Sequence, residues 1–472
     1  MKKTIAMLGA LLALFACNKQ MTEPETGQEI KVDLKINRTD AFAGTKALVK
    51  DAWAEGDVVF VFFQGVAAPK YLEMKYNSGS WTATPKEGLV ASDLGTSGTM
   101  SAVYLPYGSG STVYESSGDF AFNNGTLYNN TWFLQAEKVP YTYDTELHGA
   151  LDMVAPPVNT AGGILVHFDV SGFTSGKAYR LYNENVCGIW IGGVKADGTV
   201  YHNEGIMNVG LMGYEDGSML SFSGVLAASA VGADVDYQFS VQNRTDNVLF
   251  TRDAGTHKLT EATYIGLGDL SDATKWNSNE YIYLGFDTSS GESLYWAKKN
   301  LGATSEKDYG KFYAWGETEG YALSGSFGSY TCSHDFSTVP TAAVDGSGNL
   351  MPEYDAAHVA LKGLWRMPTK EEMALLVSET TQTFADWGHV DDGMEFKYAT
   401  YGPLFLPFVG WIEGTTPNEQ GRFGDYWSST KYDINRAKYL RLYNDTTYPA
   451  DANVDQYMNF GKAIRPVFSV LY

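Results

Sequence analysis

The chain has 472 residues, enough for about three domains at roughly 150 residues each. Aromatic residues make up 14% of it, with 31 Tyr and 50 Gly, a composition that suits pleated sheets joined by many turns. Thirty-four Lys and Arg face 55 Asp and Glu, giving a net charge of −21, and so acidic a surface repels phosphate backbones and excludes a nucleic-acid partner.

The chain opens with Lys2 and Lys3, followed by an apolar run from Ile5 to Ala16. That run is shorter than the ~20 residues a spanning helix needs, so it reads as a signal-peptide core. It ends in Leu14-Phe15-Ala16-Cys17, which resembles the lipobox of bacterial lipoproteins. The resemblance implies cleavage before Cys17 and lipid attachment on it, with residues 1–16 as signal peptide and 17–28 as a polar, lipid-anchored tether. The expected location is the cell outer membrane, surface-exposed.

From residue 29 to about 268 the pattern is strand after short strand. Lys31 to Arg38 alternates strictly and sets Val32, Leu34 and Ile36 on one face. Val58 to Phe63 is a buried-type run. Met100–Leu105, Gly163–Val170, Ala178–Leu181, Val186–Ile191, Met219–Leu226 and Val235–Val241 continue the series. Asn124-Gly125, Asp197-Gly198 and Asp216-Gly217 are expected hairpin turns. Many short strands without intervening helices predict antiparallel sandwiches. Thr45-Lys46-Ala47, Trp53-x-x-Gly56-Asp57, Leu151-Asp152-Met153 and His167-Phe168-Asp169-Val170 resemble the fimbrillin-like (Mfa-type) pilins of Bacteroidales. That resemblance implies two transthyretin-like β-sandwiches, placed at 29–175 and 176–268.

Residues 269–278 read as a linker, and the texture then changes. Thr369 with Glu372 forms a capping box, and Met373, Leu376 and Val377 follow at helical spacing. Aromatic strands and Gly-rich loops surround this helix, an α+β pattern. Leu294-Tyr295-Trp296-Ala297, Tyr309 to Thr318, Trp365-Arg366-Met367-Pro368-Thr369, Tyr426-Trp427-Ser428-Ser429-Thr430 and Ile464-Arg465-Pro466-Val467 resemble the Fibrobacter major paralogous domain. This implies a C-type lectin-like fold over 279–472, with Trp427, Ile464 and Val467 on its core strands. The fold class expected for the whole chain is mainly β plus α+β.

Chemistry is sparse. There is no GxSxG elbow, HExxH helix or P-loop, and the seven His are scattered. Cys332-x-His334 is the one close Cys/His pair, and its domain offers no further Cys for zinc. Cys187 and Cys332 fall in different candidate domains, which argues against a disulfide. Asp345 to Asn349 lacks the glycine and distal Glu of a calcium loop. Asp391 and Asp392 are adjacent, so a strand would split them and a turn would solvate them. No catalytic residue, metal site or cofactor is expected, and the chain is read as a non-enzyme. Trp387, Trp411 and Tyr432 are candidate ligand-contact aromatics.

Joined together, the two resemblances imply a fimbrial tip or adhesin subunit, accepting a strand from other fimbrillin-like pilins and presenting a head to a host or bacterial surface glycan or protein. The pilin resemblance further implies proteolytic processing between Arg38 and Thr39, which removes the first strand. The alternative is a monomeric surface lipoprotein that binds glycan or protein without a pilus.

Overall fold

The structure is a computed structural model. It describes residues 30–38, 52–67, 70–105, 112–116, 119–126, 134–154, 163–187, 189–203, 210–261, 263–322, 343–385, 392–445 and 449–470. The expected signal peptide and tether, with Cys17, and Thr39, Cys332, His334 and Trp387 lie outside them. The chain is mainly β with a few short helices. It divides into two compact units, one comprising residues up to Tyr237 with Ala254–Asp272, the other Gln238–Asp253 with Ala273–Tyr472.

The first unit is built on a seven-stranded sheet. Its strands run, in spatial order, Val32–Arg38, Leu147–Met153, Leu134–Tyr143, Ser97–Leu105, Val58–Phe63, Tyr71–Asn77 and Ser80–Lys86. The alternation read from Lys31 to Arg38 is present: Ile36 is buried, Val32 and Leu34 are half-buried against the core, and Asp33, Lys35 and Asn37 are exposed. This first strand is an edge strand, and it pairs parallel with Leu147–Met153 in unbroken register from Val32↔Leu147 to Arg38↔Met153. A second sheet orders Val186–Cys187, Met219–Leu226, Ile164–Ser171 and Thr263–Asp269, and its edge pairing, Ile164–Ser171 with Thr263–Asp269, is again parallel. The expected all-antiparallel arrangement therefore holds inside these sheets and fails at one edge of each.

Asp216-Gly217 makes its expected hairpin, with Gly217 at φ +58°, and Asp197-Gly198 closes another through Gly198 N–H donating to Lys195 O. Asn124-Gly125 does not turn; both residues lie inside strand Asp119–Thr126, which pairs along both of its sides. Tertiary pairing overrides a two-residue turn preference there.

In the second unit the helix Lys370–Glu379 starts where the capping box placed it. Thr369 Oγ1 accepts from Glu372 N at 3.2 Å, and Glu372 Oε2 accepts from Thr369 N at 2.8 Å. Glu372 also takes a forked pair of hydrogen bonds from Arg366, at 2.7 and 2.5 Å, so one carboxylate fixes both the helix start and the segment before it, which bridges to Val467. A second helix, Ala356–Leu361, is capped by Asp355, whose Oδ1 accepts from Ala357 N and His358 N while Oδ2 accepts from Met367 N. Trp427 and Val467 are buried on strands Phe423–Lys431 and Val467–Val470, as expected, whereas Ile464 is equally buried but lies outside a strand, in the stretch before Val467. Arg465 is fully buried as well: it donates to Asn300 Oδ1 and to the carbonyls of Ala297, Lys298 and Phe405, tying three segments together. Asp392 is buried rather than solvated, and its carbonyl accepts from Phe408 N.

Candidate functional site

Arg38 closes the first strand of the first unit. Its guanidinium carbon lies 5.2 Å from the ring centre of Trp53 and 5.4 Å from that of Tyr104, and its two terminal nitrogens are shielded from water. The rings are themselves fixed. Trp53 Nε1 donates to Ile36 O at 3.0 Å, and Tyr104 Oη donates to the buried carboxylate of Asp57 at 3.0 Å. A protease that reads arginine needs this side chain in its own pocket, so cutting the Arg38–Thr39 bond requires the strand's end to be unseated first.

The first unit also holds a polar network that sequence reading missed. His167 and Asp169 stand two apart on one strand and so share a face. His167 Nε2 lies 3.1 Å from Asp169 Oδ1, and Nδ1 lies 3.1 Å from Ser223 Oγ. Asp169 also accepts from Ser221 Oγ and Tyr264 Oη, and the Tyr264 ring stacks on the imidazole. Burial works against the Asp169 charge, but the hydrogen bonds from His167, Ser221 and Tyr264 outweigh it and hold the carboxyl below its ordinary range. Ser, His and Asp in contact invite a hydrolase reading. The burial decides against it: His167 and Asp169 are each 1% exposed and Ser223 3%, so no substrate reaches the hydroxyl. The network joins Ile164–Ser171 to its two neighbours, Met219–Leu226 and Thr263–Asp269. The signal that reveals it is an H-x-D pair on an otherwise apolar strand.

The second unit contains two clusters in which cations lie against aromatic rings. In the first, Asp425 and Lys462 are both fully buried and ion-paired. Arg441 adds a fork onto the same carboxylate, with Nε to Oδ1 and the second terminal nitrogen to Oδ2 both at 2.8 Å. Lys462 Nζ lies 3.8 Å from the Tyr439 ring centre, and Arg441 lies 4.9 Å from that of Trp411. Burial pulls the Lys462 ammonium down to about 8, against the upward pull of Asp425. Trp411 is thus half-buried beneath this cluster.

The second cluster sits at the hairpin joining Phe423–Lys431 to Arg436–Tyr443. Tyr432 is 50% exposed, with Lys438 Nζ 4.3 Å and Arg436 5.1 Å from its ring centre. Ile434, in the same hairpin, is 68% exposed. Tyr457, opposite Arg436 on the neighbouring strand, is 49% exposed and stacks on Phe460. Among the described residues, three of the six large apolar side chains left in solvent gather at this one end of a three-stranded sheet. Among the described residues no group of His, Cys, Asp and Glu is arranged to hold a metal ion, and no helix is long and apolar enough to cross a membrane.

No family model matches the chain, and no curated protein matches it. Among solved structures, one described as "a putative adhesin from Bacteroides ovatus" is similar at 8% identity over 48% of this chain and 74% of its own. Its TM-score is 0.21, too low for the likeness to bear on fold or function.

Proposed function

We propose that this chain is a lipid-anchored surface adhesin whose second unit is the binding head, acting by recognition without turnover. The observation that supports the reading is the gathering of Tyr432, Ile434 and Tyr457 in solvent at one end of that unit. Exposed apolar side chains concentrated in this way mark interaction surfaces. The anchor is Cys17, and the location is the outer surface of the cell. The expected test is direct. Cys17→Ala releases the protein into the medium and removes its contribution to attachment of whole cells to glycan- and protein-coated surfaces. Attachment unchanged by Cys17→Ala, with the variant still in the membrane fraction, overturns the reading.

The finer reading is a fimbrial tip subunit in which the first strand leaves and another pilin's strand takes its place. The parallel edge position of Val32–Arg38 is compatible with such an exchange, because only one neighbouring strand loses its ladder. The monomeric alternative is favoured by the same strand's seating, complete over seven residue pairs with Arg38 held between two rings. N-terminal sequencing of protein sheared from cells separates them. A start at Thr39 supports the tip subunit, and a lipidated Cys17 start throughout supports the monomer.

A further inference from the structure

Deepening the adhesin reading, on which it rests, we infer that the Tyr432–Ile434–Tyr457 surface is a stacking platform for the face of an uncharged hexose in a neutral glycan. The argument starts from the cations beside Tyr432. Each nitrogen of the Arg436 guanidinium already has a carboxylate: Nε and one terminal nitrogen lie 2.9 and 2.7 Å from Asp433 Oδ2, and the other donates to Asp455 Oδ2 at 2.9 Å. Lys438 donates to Asn453 O at 3.1 Å and to Asn453 Oδ1 at 3.2 Å, and its ammonium lies 3.6 Å from Asp455. Two cations and two carboxylates cancel, so the cluster offers no net positive charge to a sulfate or a sugar carboxylate.

The chain's net charge of −21 adds to this, since it repels acidic polymers and a second copy alike. What remains is a surface of exposed rings whose neighbouring charges balance. The Tyr432 ring is held from one side by fixed cations, and the Tyr457 ring is stacked on Phe460. Tyrosines fixed in this way give contact area at low entropic cost. A pyranose ring offers a matching face of C–H groups bordered by hydroxyls. The nearby Asn435 side chain offers a polar partner for that border, on a hairpin closed by Tyr432 N–H donating to Arg436 O.

The test uses the full-length chain in detergent on immobilised galactosyl, glucosyl and mannosyl oligosaccharides, alongside sialylated and sulfated forms of the same glycans. The expected result is retention on at least one neutral member and no gain from sialic acid or sulfate. Tyr432→Ala and Tyr457→Ala each weaken that retention at least tenfold without changing the melting temperature, while Tyr432→Phe retains it. Neutral-glycan binding that survives Tyr432→Ala overturns the platform and leaves the adhesin reading standing. Stronger binding to the acidic forms overturns the ligand class. Absence of all glycan binding overturns the inference outright, and self-association abolished by Tyr432→Ala reassigns the surface to a second copy.

Discussion

The clusters around Trp411 and Tyr432 are assembled from the same parts, an aromatic ring beside an arginine and a lysine fixed by aspartate, and they differ in water. Around Trp411 the lysine and the aspartate are both fully buried. Around Tyr432 the Arg436 and Asp433 side chains keep 41% and 36% of their surface. A buried charge without its partner is heavily penalised, whereas exposed pairs add little to stability. The first cluster is therefore a structural fastening between the strand carrying Asp425 and the segment carrying Lys462. The second sets the shape and neutrality of a surface without carrying much of the fold's stability.

The sharpest way to break this comparison is Asp425→Asn, which leaves Lys462 buried without a countercharge. A loss of about 3–5 kcal/mol is expected in denaturant unfolding of the second unit. A loss below about 1 kcal/mol would mean that water reaches the cluster.

The pH dependence of Lys462 sharpens it next. Its folded value of about 8 lies below the ordinary lysine value of 10.5, so between these limits the unfolded chain binds more protons than the folded one. Stability contributed by this group therefore rises with pH from about 8 to 10, by up to about 1.4 kcal/mol per pH unit. Above pH 10 the sign reverses, because burial pushes Tyr426 and Tyr439 up and their ionisation favours the unfolded chain. Unfolding free energies of the native chain and Lys462→Met, compared from pH 7 to 10, give the contribution by difference. Parallel curves contradict it.

The first unit supplies an acid-side counterpart. Asp169 is held below its ordinary range, so its contribution is complete above about pH 4 and is lost as pH falls through the folded value. Acid unfolding of Asp169→Asn is expected to be shallower than that of the native chain. The smallest expected effect belongs to the exposed cluster. Tyr432→Ala should change stability by less than about 0.5 kcal/mol in the same unfolding experiment, and a larger change would move Tyr432 into the structural class.

What could be read beforehand follows how local each determinant is. The alternation of Val32, Leu34 and Ile36 and the Thr369–Glu372 capping box are short-range patterns, and the structure contains both. Asp355 capping a helix was equally local but carries no Glu or Gln three residues on, so it lacks the fuller signature. The parallel pairing of Val32–Arg38 with Leu147–Met153 joins segments far apart, and nothing inside either strand announces direction. Trp411 and Tyr432 look alike in sequence. Their surroundings separate them, and these are set by Arg441 and Lys462 in one case and by a four-residue hairpin in the other. His167 and Asp169 were legible in principle, since a two-residue spacing on a strand puts both on one face, but their Ser223 and Tyr264 partners come from other strands.

The seating of the first strand has a mechanical consequence. The chain enters it at Ile30, beside the tight turn between Leu134–Tyr143 and Leu147–Met153, because Val32 lies opposite Leu147. Tension directed along the strand's axis would strain the rungs of its parallel ladder together in shear. At the trailing end the Arg38 side chain, wedged between Trp53 and Tyr104, must be drawn past both rings before the strand slides. Extension from the N-terminal side along this axis would meet a brittle, high-force yield at this strand, and Arg38→Ala is expected to lower that yield force in single-molecule extension.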